Sequence, residues 1–113
     1  MEPKYRIEFL DEAVEFMNKL NEKAREKIYY NLKKAQVTND KTLFKKLNDE
    51  IWEFRTLYKR TQYRLFAFWD KTDKTDTLVI STHGIEKKTQ KTPKKEINKA
   101  ESLRKKYFDE LKK

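Results

Sequence analysis

Ile51-Trp-Glu-Phe-Arg-Thr-Leu-Tyr-Lys59 and Gln62-Tyr-Arg-Leu-Phe-Ala-Phe-Trp-Asp70 are the runs that decide how this chain folds. Both are rich in aromatic and β-branched residues, and only Arg60 and Thr61 separate them. A connection that short predicts an antiparallel β-hairpin. Side chains alternate between the two faces of a strand. In the first run Glu53 and Arg55 share a face, opposite Trp52, Phe54 and Tyr58. In the second, Arg64 shares a face with Phe66 and Phe68, opposite Tyr63, Leu65, Ala67 and Trp69. The face with more bulky groups is the expected core face. Glu53, Arg55 and Arg64 are then expected to point together from its reverse.

Working outward, Thr77 to His83 reads as a further strand, reached through the polar loop Asp70-Lys-Thr-Asp-Lys-Thr-Asp76. At the other end, Tyr5, Ile7 and Phe9 alternate with Arg6 and Glu8 in a strand pattern. Asp11 suits a helix N-cap, followed by Ala13, Val14, Met17 and Leu20 at helical spacing. Asn21 caps a second helix with the stripe Ala24, Ile28, Leu32 and Ala35, so an αα-hairpin is expected, ending at Val37 to Asp40. Between Lys41 and Glu50, Leu43, Phe44 and Leu47 allow a short helical turn. Thr92-Pro93 predicts the start of a last helix, threonine as cap and proline at the first helical position. Its stripe is Ile97, Ala100, Leu103 or Arg104, Tyr107 and Leu111, with Phe108 adjacent. The predicted order is β-α-α-β-β-β-α. Helices grouped before strands predict an α+β fold, an antiparallel sheet of about four strands with the N-terminal αα-hairpin on one face and a C-terminal helix. The reverse face is expected to be free for function. Residues 1–113 read as a single domain.

Charged residues make up 42% of the chain, hydrophobic ones 36%, and the formal net charge is +9. From residue 87 onward there are 11 basic and 4 acidic side chains, against 17 and 15 before it. A basic surface of this kind attracts polyanions, nucleic acid first among them; a soluble lysine-covered helix fits the composition equally well. The absence of cysteine excludes disulfides and thiolate chemistry, and a single histidine excludes a His-rich zinc site. No cofactor is expected. Met1-Glu-Pro-Lys-Tyr5 lacks the basic-then-apolar pattern of a signal peptide, and no apolar run is long enough to span a bilayer. A cytoplasmic location without membrane contact is the expectation.

The only histidine, His83, and the only glycine, Gly84, adjoin a lysine-rich stretch. His83 is expected to close its strand at the rim of the arginine face, with Lys87, Lys88 and Lys91 in a loop after it. Paired guanidinium groups bind phosphate oxygens bidentately and stabilise charge that develops on phosphorus under attack. A histidine or carboxylate can move protons near neutral pH. RNA carries its own nucleophile, the 2′-hydroxyl, so such a site needs no metal and would favour RNA over DNA. Each element also has an ordinary reading. Glu53 and Arg55 suit a solvated ion pair, Arg64 a cross-strand partner for Glu53, and His83 an idle strand end.

Three segments resemble the RelE/ParE superfamily of bacterial toxins, most closely its HigB-like branch, phage-derived homologues included. Ile51-Trp-Glu-Phe-Arg55 is similar to that family's "(I/L)WELR" strand and Tyr63-Arg-Leu-Phe66 to its "YRxxF" strand. His83-Gly-Ile-Glu-Lys-Lys-Thr-Gln-Lys-Thr-Pro93, with Glu96-Ile97 and Ala100, is similar to "HxFxKKTQKTPxxEIxxA". Phe54, Thr82 and Ile85 depart from the usual residues, and none of these changes removes a charged group. The resemblance implies the toxin of a type II toxin–antitoxin pair, a metal-independent endoribonuclease that cuts mRNA on the ribosome. It implies a cognate HigA-like helix-turn-helix antitoxin as partner, with operator DNA bound only through that antitoxin. Carried over by position, Arg55 and Arg64 would hold the scissile phosphate, and His83 and Glu53 would be acid–base or positioning groups. Lys87, Lys88, Lys91 and Lys94 would contact RNA. A ParE-like gyrase poison on the same fold, or an inactive partner-binding module, are the alternatives.

Overall fold

The computed structural model describes residues 2–72, 78–87 and 91–112. Its elements run β1 (Arg6–Phe9), α1 (Asp11–Lys19), α2 (Glu22–Val37), β2 (Phe44–Lys46), β3 (Trp52–Tyr58), β4 (Thr61–Asp70), β5 (Leu78–Lys87) and α3 (Lys94–Leu111). The fold is α+β, as the grouping of elements predicts. Among the described residues the sheet has five strands in the order β1-β5-β4-β3-β2. It is mixed and not purely antiparallel, because β1 runs parallel to β5, with Ile7 opposite Val79. Among the described residues no helix is long and apolar enough to cross a membrane.

The expected hairpin is β3–β4, with Arg55 opposite Arg64 and Phe54 opposite Leu65. The extra strand, β2, replaces the short helical turn that the sequence allows between Lys41 and Glu50. Phe44 pairs with Phe54 and stacks on it with ring centroids 4.2 Å apart, and on Trp52 at 4.7 Å. Cross-strand aromatic contacts of this kind favour a strand over an isolated helical turn.

The αα-hairpin covers one sheet face. Ala13, Met17, Ala24, Ile28, Leu32 and Ala35 pack there with Phe54, Tyr63, Leu65, Ala67 and Val79. Asn21 Oδ1 accepts from the Ala24 amide at 2.9 Å, so the predicted cap of α2 is in place. The cap of α1 is Leu10, with Asp11 the first helical residue. Gly84 sits in β5 under this hairpin, and the Phe16 ring occupies the space a Cβ would need. The lone glycine therefore permits a close helix–sheet approach.

The reverse face is not free along its whole length, contrary to expectation. Helix α3 packs over Ile51, Phe66, Phe68 and Ile80 through Ala100, Ile97, Tyr107 and Phe108. Phe68 meets Tyr107 at 5.3 Å and Phe108 at 5.5 Å. The Tyr107 hydroxyl donates to Asp70 Oδ2 at 2.5 Å, fixing the second half of α3 to the end of β4. Leu111, expected on the stripe, is exposed. Only the part of the face beyond α3's first turn is left for a charged cluster.

Candidate functional site

That part, outside the apolar contacts of α3, is built from β3, β4 and β5. Arg55 and Arg64 are directly opposite in the ladder. Like charges in that position repel, and Glu53 lies between them. Arg64 Nη1 donates to Glu53 Oε2 at 3.3 Å, and Arg55 Nε lies 3.7 Å from the same oxygen. The second oxygen, Oε1, accepts from the Thr92 hydroxyl at 3.0 Å. Gln62 Oε1 adds a long contact of 3.5 Å to Arg64 Nη2. Both oxygens of Glu53 are thus engaged in holding other groups.

Lys87 joins them because of an irregularity in β5. Ile80 pairs with Phe68 and Ser81 with Ala67, but His83 pairs with Phe66, so Thr82 is an extra residue in the ladder. Thr82 and Ser81 hydroxyls both donate to the Phe66 carbonyl, at 3.4 and 3.1 Å. Such a bulge reverses the alternation beyond it. Without it, His83, Ile85 and Lys87 would face the αα-hairpin. With it, Ile85 lies opposite Arg64 and Lys87 opposite Gln62 on the arginine face.

The cluster is buried unequally. The Arg64 side chain is 0% exposed, Glu53 3% and Arg55 24%, so Arg55 is the guanidinium that meets solvent. Burial lowers the pKa of Arg64, with Glu53 opposing and Arg55 adding to the shift. Its guanidinium is charged at any ordinary pH. Burial also lowers the pKa of Lys87; Arg64 and Arg55 lower it further, and Glu53 opposes them. The Lys87 ammonium donates to the Lys91 carbonyl, which ties the segment before α3 to the site. Among the described residues Arg55, Arg64 and Lys87 gather around the Glu53 carboxylate, a concentration of cations that suits an anion. Among the described residues no group of three or more metal-ligating side chains could hold a metal ion.

The remaining expected residues lie elsewhere. His83 is not at a strand end or on the rim. It sits inside β5 with 3% side-chain exposure and stacks on Phe66 at 4.8 Å. Its Nε2 is 3.1 Å from Glu96 Oε1 on α3 and its Nδ1 3.0 Å from Thr82 Oγ1. In the ladder Phe66 stands between His83 and Glu53. Burial lowers the His83 pKa, opposed by the hydrogen bond to Glu96 and reinforced by Lys99. The ring joins α3 to the sheet through Glu96. Lys87 belongs to β5 and not to a loop. Lys91 and Lys94 are exposed near the start of α3. Lys88 lies outside the described residues.

The pattern Arg55–Arg64–Glu53, closed by the Lys91-Thr92 segment, falls within a match to one family model over residues 15–105, described as "Phage derived protein Gp49-like". The chain belongs to the Gp49-like phage-derived family. The match takes in every candidate site residue of this Gp49-like protein. No curated protein matches the chain significantly.

Two site residues were not visible in the sequence. Thr92 before Pro93 signals a helix cap, yet Pro93 itself is the N-cap and the threonine hydroxyl serves Glu53. Gln62 carries no motif; only its position two residues from Arg64, on the same strand face, points to it.

Proposed function

We propose that this Gp49-like protein is the toxin of a type II toxin–antitoxin system, a RelE-like, HigB-like endoribonuclease that cuts mRNA on the ribosome in the cytoplasm. The observation that carries the reading is the in-register pair Arg55 and Arg64, with Lys87 beside them and one shared carboxylate. In this reading the RNA 2′-oxygen attacks phosphorus, the bond to the 5′-oxygen breaks, and a 2′,3′-cyclic phosphate and a 5′-hydroxyl result. The 2′-hydroxyl gives up its proton and the departing 5′-oxygen gains one. Arg55, Arg64 and Lys87 stabilise the charge that gathers on the phosphoryl oxygens. Glu53 orients the two guanidinium groups, because both its oxygens are already hydrogen-bonded. His83 supports α3 in this reading and does not meet substrate.

A phosphate reaches Arg55 first, as the more exposed guanidinium. Arg64 lies deeper, hydrogen-bonded to Glu53 Oε2. Lys94 and Lys95 occupy the first turn of α3. Cations are unfavourable there unless an anion is nearby, which suits a phosphate strand passing the helix start. Lys91 and Lys88 extend the same run of charge in the sequence. The expected partner is a cognate HigA-like helix-turn-helix antitoxin that blocks activity and carries any operator binding.

Expression of the chain without an antitoxin tests the proposal, with mRNA 5′ ends mapped after induction. The wild type should arrest growth and create new 5′ ends. Arg64→Ala should lower cleavage by about 10²–10³-fold, the usual loss when one donor to a developing oxyanion is removed. Undiminished cleavage by that variant, at equal soluble protein, would sink the assignment. Arrest with intact mRNA and accumulated DNA breaks would replace it with gyrase poisoning.

A further inference from the structure

The β3–β4 hairpin turns on Lys59 and Arg60, whose φ angles are both positive, 48° and 69°. Two consecutive left-handed residues are the geometry of a type I′ turn, where Asn-Gly and Gly-Gly fit with least strain. This chain instead places two long cationic side chains there. Both are exposed, and neither forms an ion pair with a described residue. Strained backbone is retained where the surrounding structure or a function requires it. The Lys59 ammonium does lie over the Tyr58 ring, at 5.5 Å, but Arg60 has no ring contact of this kind among the described residues.

The tip is continuous with the charged cluster. Leu57, 58% exposed, lies on the same strand face as Arg55, and Gln62 opposite it lies on the face of Arg64. The strip therefore runs from Arg55 and Arg64 through an exposed apolar side chain to two cations. Arg60 and Arg64 are four residue steps apart, roughly 13 Å at 3.3 Å per residue. That exceeds the screening length of about 8 Å at physiological salt. The tip thus adds little to the field at Arg64 and must act by touching its ligand.

We propose that the Lys59-Arg60 tip is a second contact surface for an RNA phosphodiester backbone, with Leu57 offering apolar ground for a ribose or base beside it. The proposal rests on the nuclease reading for its choice of RNA. The backbone belongs either to the substrate strand or to ribosomal RNA, and two arms of one experiment separate these sources.

The test compares wild type with the double variant Lys59→Asn, Arg60→Gly, which has the residues a type I′ turn prefers. One arm measures binding to a single-stranded, fully 2′-O-methylated RNA that cannot be cut; the other measures co-sedimentation with purified ribosomes. Both are run across a salt series. Loss of two phosphate contacts should reduce the slope of log K against log salt by about 1.4 for single-stranded RNA. The same variant should melt about 4 °C higher, because strain is relieved. Weaker binding from a more stable protein cannot be ascribed to misfolding. A reduced slope in the first arm assigns the contact to the substrate strand, and a reduced slope in the second alone assigns it to ribosomal RNA. Unchanged affinity and slope in both arms, or no binding by wild type in either, overturns the proposal. Binding that depends on the tip in a protein that leaves mRNA uncut overturns the nuclease reading and leaves the tip's role standing.

Discussion

One face of the sheet carries two regions that differ in almost every physical respect. Under α3, Phe66, Phe68 and Ile80 make an apolar layer with Ala100, and the polar groups there, His83 and Asp70, are each hydrogen-bonded to the helix. Beyond the helix start, Arg55, Arg64 and Lys87 crowd around Glu53. The first region resolves its buried polar groups internally, as stable cores do. The second gathers three cations about the Glu53 carboxylate among the described residues. A few residues along the same strands separate an apolar part that holds the fold from a part that concentrates charge.

The contrast can be broken most forcefully at Phe68. Phe68→Ala should lower unfolding free energy by about 3–5 kcal/mol, the usual cost of truncating a buried phenylalanine. Denaturant titration would show it as a lower midpoint at an unchanged slope. A loss under 1 kcal/mol would mean that α3 is not held by this layer. Thr92→Val tests the seam between the two regions. Removing its bond to Glu53 should cost about 1 kcal/mol of stability while RNA cleavage is retained. Loss of cleavage comparable to that of Arg64→Ala would move Thr92 from latch to reacting group.

The smallest expected effect is in the pH dependence of stability. His83 has its pKa lowered in the fold from an ordinary value of 6.5. As pH falls below about 6.5 the unfolded chain takes up a proton that the folded chain resists. Stability should therefore decline from that pH downward until the folded ring also protonates, and be unaffected by this group above it. His83→Gln should flatten the slope between pH 6.5 and the lower pKa, as measured by melting temperature across a buffer series. An unchanged slope would mean that the ring is protonated equally well in both states.

Much of the arrangement could be read from local pattern. The β3–β4 hairpin followed from two alternating runs and a short connection, and alternation alone placed Glu53, Arg55 and Arg64 on one face. Asn21 announced the cap of α2 through residue type. The errors share a cause. β2 is three residues long, and it exists because Phe44 stacks on β3, a partner distant in sequence. The parallel pairing of β1 with β5 joins the first strand to the last, which no local signal records. The sequence predicts a strand ending at His83, but Gly84 accommodates Phe16 and the strand continues to Lys87.

The sequence by itself determined the β3–β4 hairpin, the paired arginines and their carboxylate, because residue type and period-two spacing act within a single hairpin. Tertiary structure alone decided which cations join them. One extra residue at Thr82 turns Lys87 to the arginine side, and helix α3 removes His83 from solvent and brings Thr92 onto Glu53. Bulges and helix docking are set by the fit of surfaces far apart in the chain, and their consequences reach every residue beyond them.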